Sequence, residues 1–153
     1  MKSVILSVIH ASQAAFGIYN LYLASISINN LQGYEDMSKK AAKYSNTAEQ
    51  QLHKTRTTQA SGTIALLFSV LSSVCLIFGS PGTGTVQAVA GVNLLVLVAA
   101  RKHVGGFWKE KARVPIPGSG DYNKATKNTQ EVRLNLAYII GSWLAVSAVD
   151  LIF

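Results

Sequence analysis

Two ionisable residues, His10 and Asp150, lie inside long apolar stretches of the chain. Such groups are costly within a membrane, usually face the interior of a helix bundle and are candidates for function. Each lies eighteen residues from the opposite end of its stretch, counted from Ile28 and from Val132, so we expect them near the same depth. A His–Asp hydrogen bond could orient the imidazole for proton transfer, or it could simply shield both groups from lipid. A terminal aspartate could equally reach the interface.

A second set of candidate residues is basic. If the bundle closes, one of its ends gathers side chains that could bind an anionic ligand or headgroup, because arginine holds carboxylate or phosphate with two parallel hydrogen bonds. The alternative is ordinary flanking charge that holds the helix ends at the interface. The residues at this basic mouth are His53, Arg56, Arg101, Lys102, His103 and Arg133.

Other chemical signatures are missing from the sequence. Three histidines without clustered cysteines or carboxylates give no metal-ligand pattern, and we expect no cofactor. The glycine-rich turn at 79–84 lacks the lysine and the preceding strand of a phosphate-binding loop, and no nucleophile elbow, Rossmann fingerprint or HExxH motif is present. The single cysteine, Cys75, lies in an apolar run, which favours a packing role.

Membrane helices are the elements that must position these residues. No charged residue lies between Arg56 and Arg101, and a helix needs about 20 mostly apolar residues to cross the hydrocarbon core. Charged residues make up only 14% of the chain, against about 25% in a soluble domain. The sequence predicts an all-α, polytopic membrane protein with one domain over residues 1–153. Its four-helix bundle has spans at about 4–28, 59–79, 84–101 and 132–153.

Two polar segments, 29–58 and 102–131, connect these spans. In the first, apolar residues recur at helical spacing and predict a face that lies on the bilayer or packs on the other segment; a solvated extension of the second span is the alternative. The sequence 46–49 resembles a capping box, so we expect the second helix to begin near Asn46. In the second segment, Phe107 and Trp108 are expected to anchor at headgroup level, and the prolines of 114–120 exclude a helix.

The charges predict the threading. Both basic segments follow odd-numbered spans, so they share a side, which the positive-inside rule makes cytoplasmic. Both termini and the glycine turn then face the lumen or exterior, with Lys2 as a weak contrary charge. We interpret the net charge of +7 as topology and attraction to anionic lipid, not to nucleic acid. The endoplasmic reticulum or another endomembrane is favoured, with the mitochondrial inner membrane as the alternative.

Polar residues also predict how the helices face one another. Counted from the cytoplasmic ends, Asn20 is level with Asn93 and Gln13 nearly level with Gln87, which suggests a ladder of amides between the first and third helices. Gly17 shares a face with Gln13 and Asn20 and is expected to allow a close helix approach.

Two main classes of function remain open. The first is a non-catalytic subunit or scaffold that packs against other membrane proteins or itself and holds anionic lipid. The second is a small membrane enzyme acting on a lipophilic substrate, at the basic mouth or at His10 and Asp150. A channel or proton-coupled carrier is a third possibility.

A resemblance bears on the enzyme hypothesis. In length, span count and threading, the chain is similar to the membrane-associated eicosanoid and glutathione metabolism family, which implies an enzyme with a lipophilic substrate. The resemblance is one of topology. Arg56 lies where that family's Glu-Arg-led motif opens the second helix, but Lys54 and Thr55 precede it and Gly62 follows where an asparagine is wanted.

Overall fold

The computed structural model describes residues 1–79, 81–109, 111 and 120–153, and their side chains except those of 36–38, 41 and 42. These residues form four α-helices and no strand. Each helix is long and apolar enough to cross a membrane, which confirms the predicted all-α class and helix number. The helices are α1 (Lys2–Ala42), α2 (Asn46–Phe78), α3 (Thr83–Trp108) and α4 (Gly120–Ile152).

The helices continue beyond the apolar spans into the polar segments. The first segment does not form one amphipathic helix, because α1 runs to Ala42 and a new helix begins at Asn46. Ser45 has extended backbone and its hydroxyl accepts from the Ala48 amide at 3.4 Å, so the cap of α2 lies at the residue before the predicted box. α4 begins at Gly120, well before Val132; the proline-containing break falls on 112–119, outside the described residues.

The four helices form a square in which neighbours in sequence are neighbours in space. α1 packs on α2, α2 on α3, α3 on α4, and α4 closes the square against α1, whereas the described parts of α1 and α3 lie on a diagonal without contact. We call the end that holds Met1, the glycine turn and Phe153 the terminal end. The opposite end, where α1 meets α2 and α3 meets α4 along the chain, is the basic end.

The outer surface of this square is apolar while much of its interior is polar. Large apolar side chains point outward on every helix; examples are Val8 at 61% exposed, Ile64 at 64%, Leu95 at 75% and Tyr138 at 72%. A soluble domain keeps such residues inside and does not present a continuous apolar surface of this kind. The buried polar residues include His10, Gln13, Asn20, Ser27, Thr58, Ser69, Ser73, Asn93, Asn135 and Asp150.

Both tryptophans are buried, with their indole nitrogens satisfied inside the bundle. Trp143 is 0% exposed and donates to Ser69 Oγ at 2.8 Å. Trp108 is 1% exposed and donates to Thr58 Oγ1 at 2.8 Å. The prediction that Trp108 anchors at the headgroup level is therefore wrong, because the indole finds its polar partner on α2 and not in the interface. Phe107 remains half-buried, with the Lys111 ammonium 4.5 Å from its ring centroid.

Gly17 sets the spacing of α1 and α2. It is buried, and a Cβ added at this position would overlap the Cγ2 methyl of Val70 on α2. The predicted close approach at Gly17 is confirmed. By contrast, a Cβ at Gly141, on the outer face of α4, would meet nothing within 4 Å.

Candidate functional site

The buried carboxylate of Asp150 joins three helices at the terminal end. Asp150 is 3% exposed. Its Oδ1 lies 3.1 Å from Lys2 Nζ on α1, and its Oδ2 accepts from Gln87 Nε2 on α3 at 2.8 Å. Lys2 Nζ also donates to the Asp150 backbone carbonyl at 2.8 Å and to Thr83 Oγ1 at 3.4 Å. A carboxylate held away from water requires such partners, because its desolvation is otherwise uncompensated.

His10 lies deeper on α1 and its ring is oriented by Gln13. The His10 Nδ1 is 2.8 Å from Gln13 Oε1, and Gln13 Nε2 is 2.9 Å from Ser142 Oγ on α4. The single hydroxyl proton of Ser142 is donated to the Ile139 carbonyl at 2.7 Å, so Ser142 must accept from the Gln13 amide. Gln13 Oε1 therefore faces His10, and the neutral imidazole carries its proton on Nδ1.

This assignment also determines the state of the other ring nitrogen of His10, Nε2, which carries no proton. In the neutral ring, Nε2 holds a lone pair and can accept one hydrogen bond. No described residue donates to it. The ring itself is held in place by Trp143, whose centroid lies 5.7 Å from that of His10. His10 is thus a fixed acceptor that is only 2% exposed.

His10 and Asp150 do not hydrogen-bond to each other, but both line one cavity. This terminal cavity has a volume of about 530 Å³ and opens at the terminal end of the bundle. Both residues were candidates in the sequence analysis, but their hydrogen-bond partners are other residues and not each other. The polar lining of the cavity is Lys2, Ser3, Ser7, His10, Thr83 and Asp150, and its apolar lining includes Leu6, Leu76, Ile77 and Val86.

A second cavity lies beside the first, on the membrane-facing side of α2 and α3. This α2–α3 groove has a volume of about 670 Å³ and an almost wholly apolar lining. The groove and the terminal cavity share Leu76, Gly79 and Pro81, so they are adjacent. The remaining residues of the groove are Phe68, Leu71, Ser72, Cys75, Thr85, Ala88, Val89 and Val92.

The interhelical amide ladder exists, but its rungs connect α4 to its neighbours. Asn135 on α4 donates to Asn20 Oδ1 at 2.9 Å. Gln87 on α3 accepts from Ser147 Oγ on α4 at 2.6 Å. The predicted pairing of Asn20 with Asn93 and of Gln13 with Gln87 is wrong, because α1 and α3 occupy opposite corners of the square.

Asn93 does not contact Asn20, the partner that the sequence predicted for it. Its Nδ2 donates to the Val89 carbonyl within α3 at 2.9 Å. Its Oδ1 is buried and has no partner among the residues that the structure describes. An unsatisfied acceptor of this kind is uncommon in a packed interior.

The six basic-mouth residues share one end of the bundle without forming a single cavity. Arg56 forms an ion pair with Glu35 of α1. His103 Nδ1 is 3.0 Å from Ser61 Oγ. His53, Arg101 and Lys102 are exposed.

Arg133 differs from the other five, because its side chain is half-buried where α4 meets α3. Its Cδ lies 3.6 Å from the position that a Cβ of Gly105 would take. Its Nε is buried and has no partner within the described part of the chain. Sequence reasoning could not find this unsatisfied donor, since it depends on how the Arg133 side chain packs against α3.

The formal charge of the chain is divided unequally between the two ends. Thirteen of the 14 Lys and Arg residues and six of the 7 Asp and Glu residues lie in segments 29–58 and 101–133. The remaining pair, Lys2 and Asp150, neutralises itself at the terminal end. The basic end therefore carries the whole net charge of +7.

Metal chemistry receives no support from the geometry. In the described ranges, no three His, Cys, Asp or Glu side chains are grouped so that they could hold a metal ion.

The fold and its polar interior define a four-helix protein of membrane-spanning length. No protein-family model, curated protein or solved structure matches the chain.

Proposed function

We propose that this small multi-pass membrane protein is a non-catalytic subunit or scaffold that binds anionic lipid headgroups at its basic end. The observation that carries this proposal is the placement of the entire net charge of +7 at one end of the bundle. Juxtamembrane basic clusters attract anionic headgroups, at about 1 kcal/mol for each Lys or Arg near the surface. We place the basic end on the cytoplasmic side of an endomembrane.

Arg133, Arg101 and Lys102 are the residues that would hold the headgroup. Arg101 and Lys102 are exposed in the last two turns of α3. Arg133 lies against Gly105 in the same part of α3, and its Nε is a buried donor in need of an acceptor. A phosphate oxygen would supply that acceptor, and the planar guanidinium could offer it two parallel hydrogen bonds.

The buried polar groups support a structural role more than a catalytic one. Asp150 is neutralised by Lys2 and bound by Gln87. His10 contacts Gln13 and is not in hydrogen-bonding contact with any carboxylate in the described chain. A general base normally needs a second group that orients it and stabilises its charge, and Gln13 supplies orientation alone.

Native mass spectrometry of the gently solubilised protein tests the lipid part of the proposal. We expect the parent protein to retain anionic phospholipid over zwitterionic phospholipid. The variant Arg133→Gln should weaken this preference, and Arg133→Lys should weaken it less, because lysine preserves the charge but not the planar fork. Equal retention by the parent and Arg133→Gln would contradict the proposal.

The same preparation tests the subunit part. A partner membrane protein, or a second copy of the chain, present at fixed stoichiometry is the expected result. A chain that is monomeric in mild detergent and in nanodiscs, and that carries only lipid, would contradict a subunit or scaffold role.

A membrane enzyme is the second candidate, favoured by the presence of His10 and Asp150 in one cavity. Alanine at either position separates the two functions. Loss of an activity with unchanged accumulation in the membrane would support the enzyme. Reduced accumulation alone would support a structural role for both residues.

A further inference from the structure

The terminal cavity and the α2–α3 groove together have the form of a site for an amphiphile. One is lined by polar residues and reaches His10, whereas the other is apolar and faces the membrane. They meet at Leu76, Gly79 and Pro81. Their volumes, about 530 and 670 Å³, each fall within the usual range of roughly 300–1,000 Å³ for a ligand site.

The charged side chains of the terminal cavity exclude an ionic headgroup. They are Lys2 and Asp150, which neutralise each other. The three ammonium protons of Lys2 are matched by three acceptors: the Asp150 carboxylate, the Asp150 carbonyl and Thr83 Oγ1. Among the described side chains of the cavity, an anionic headgroup would lie beside the Asp150 carboxylate with no cationic side chain left unpaired, and a cationic headgroup would lie beside Lys2. Either arrangement carries the cost of an uncompensated charge.

His10 indicates which kind of uncharged headgroup fits the terminal cavity. His10 lines the cavity, and no described residue donates to its Nε2. An acceptor without a protein donor is available to a hydrogen-bond donor of the ligand. The fitting headgroup therefore donates a hydrogen bond and carries no charge, which describes a hydroxyl group.

We propose that the terminal cavity and the α2–α3 groove bind one neutral, single-chain lipid with a hydroxyl headgroup. The hydroxyl donates to His10 Nε2, and the hydrocarbon chain lies against the apolar residues of the groove. The lipid reaches the groove laterally from the bilayer. This site is at the opposite end of the bundle from the anionic-lipid site proposed above and does not depend on it.

Three probes with the same chain and different headgroups test the polar part of the site. Binding of 1-monooleoylglycerol, oleic acid and oleylamine to the purified protein is measured by native mass spectrometry at pH 7.5. We expect monooleoylglycerol to bind at least fivefold more tightly than either charged probe. Equal or tighter binding of oleate or oleylamine would overturn the proposal.

A fourth probe tests the hydrogen bond without altering the protein. The dimethyl ether of monooleoylglycerol keeps the oleoyl chain and every oxygen atom, but both hydroxyl groups become methyl ethers and cannot donate a hydrogen bond. Loss of one hydrogen bond to a buried acceptor should weaken its binding by about fivefold or more. If the ether binds as tightly as the diol, the probes only partition into apolar surface, and the assignment to His10 fails.

Two alanines of α3 provide a variant and a matched control to test whether the hydrocarbon chain of the lipid binds in the groove. Ala88 lines the groove, whereas Ala99 is exposed on the same helix outside it. Ala88→Trp should fill the groove and weaken monooleoylglycerol binding at least tenfold, and Ala99→Trp should change it by less than twofold. Circular dichroism and gel filtration establish that both variants fold. Unchanged binding by a folded Ala88→Trp would exclude the groove as the chain site.

Discussion

Lys2 and Asp150 form an ion pair that ties the start of α1 to the end of α4, with Nζ 3.1 Å from Oδ1. The carboxylate is buried while the lysine side chain is 31% exposed. The pair thus closes the square of helices at the terminal end, and the Gln87 amide adds α3 to the same contact.

Lys2→Met should destabilise the protein by about 1–3 kcal/mol, because it leaves a buried carboxylate without its cation. This figure is below the roughly 3–5 kcal/mol of a fully buried pair, since Lys2 is partly solvated. Adding Asp150→Asn should restore part of the loss by removing the unpaired charge. Thermal unfolding in detergent measures the parent protein and both variants, and a double variant less stable than Lys2→Met would refute the assignment.

Gly17→Ala should destabilise the α1–α2 contact by about 1–3 kcal/mol, because the added methyl overlaps a branched Val70 side chain that cannot rotate away. The control is Gly141→Ala, where the new methyl has free space and alanine is a better helix former by up to about 1 kcal/mol. Val70→Ala combined with Gly17→Ala should recover part of the stability. Equal unfolding temperatures for the two single alanine variants would show that the helices do not approach closely at Gly17.

The Asn20–Asn135 hydrogen bond should appear as a coupling between α1 and α4. Leucine at either position leaves one buried amide without its hydrogen-bond partner. Leucine at both positions removes both amides, so no buried amide is left unpaired. We expect a coupling of about 0.6–1.7 kcal/mol in a double-mutant cycle, the range seen for polar contacts in membrane helices. The corresponding cycle for Asn20 and Asn93 should give no coupling, and a larger value there would favour the order of helices that the sequence suggested.

The threading prediction is tested by cysteine labelling in a Cys75→Ser background. Tyr44, 91% exposed at the basic end, and Phe153, 65% exposed at the terminal end, are suitable positions. In sealed microsomes, whose outer face is cytoplasmic, an impermeant maleimide should label Tyr44→Cys and spare Phe153→Cys until detergent is added. The reverse pattern would place the basic end in the lumen and would contradict the positive-inside assignment.

The membrane class could be predicted because it depends on the length of apolar runs and on the distribution of charge. The antiparallel pair around the 79–84 turn needed only that information. The helix ends in the polar segments could not be located in the same way. Residues 29–42 continue α1 as a helix although they are mostly polar, so hydropathy marks the limit of the apolar stretch and not the limit of the helix.

The hydrogen-bond partners of the buried polar residues were harder to predict from the sequence. Counting residues from a helix end gives depth, and it predicted a similar depth for His10 and Asp150, which line one cavity. Depth does not give the order of helices around the bundle, so Asn20 was matched with Asn93 on the diagonal helix. Lys2 was interpreted as a topological charge. The missed signal was that Lys2 and Asp150 are the only charged residues outside 29–58 and 101–133.

The packing of α4 against α1, which closes the square of helices, has a consequence for the synthesis and insertion of the protein. Several polar side chains of α1 contact α4, which is synthesised after the other three helices: Gln13 contacts Ser142, Asn20 contacts Asn135 and Lys2 contacts Asp150. While the ribosome is still translating α4, α1 therefore sits in the translocon or the bilayer without these contacts. A nascent chain that ends before α4 should be held by insertion chaperones and degraded by membrane quality control.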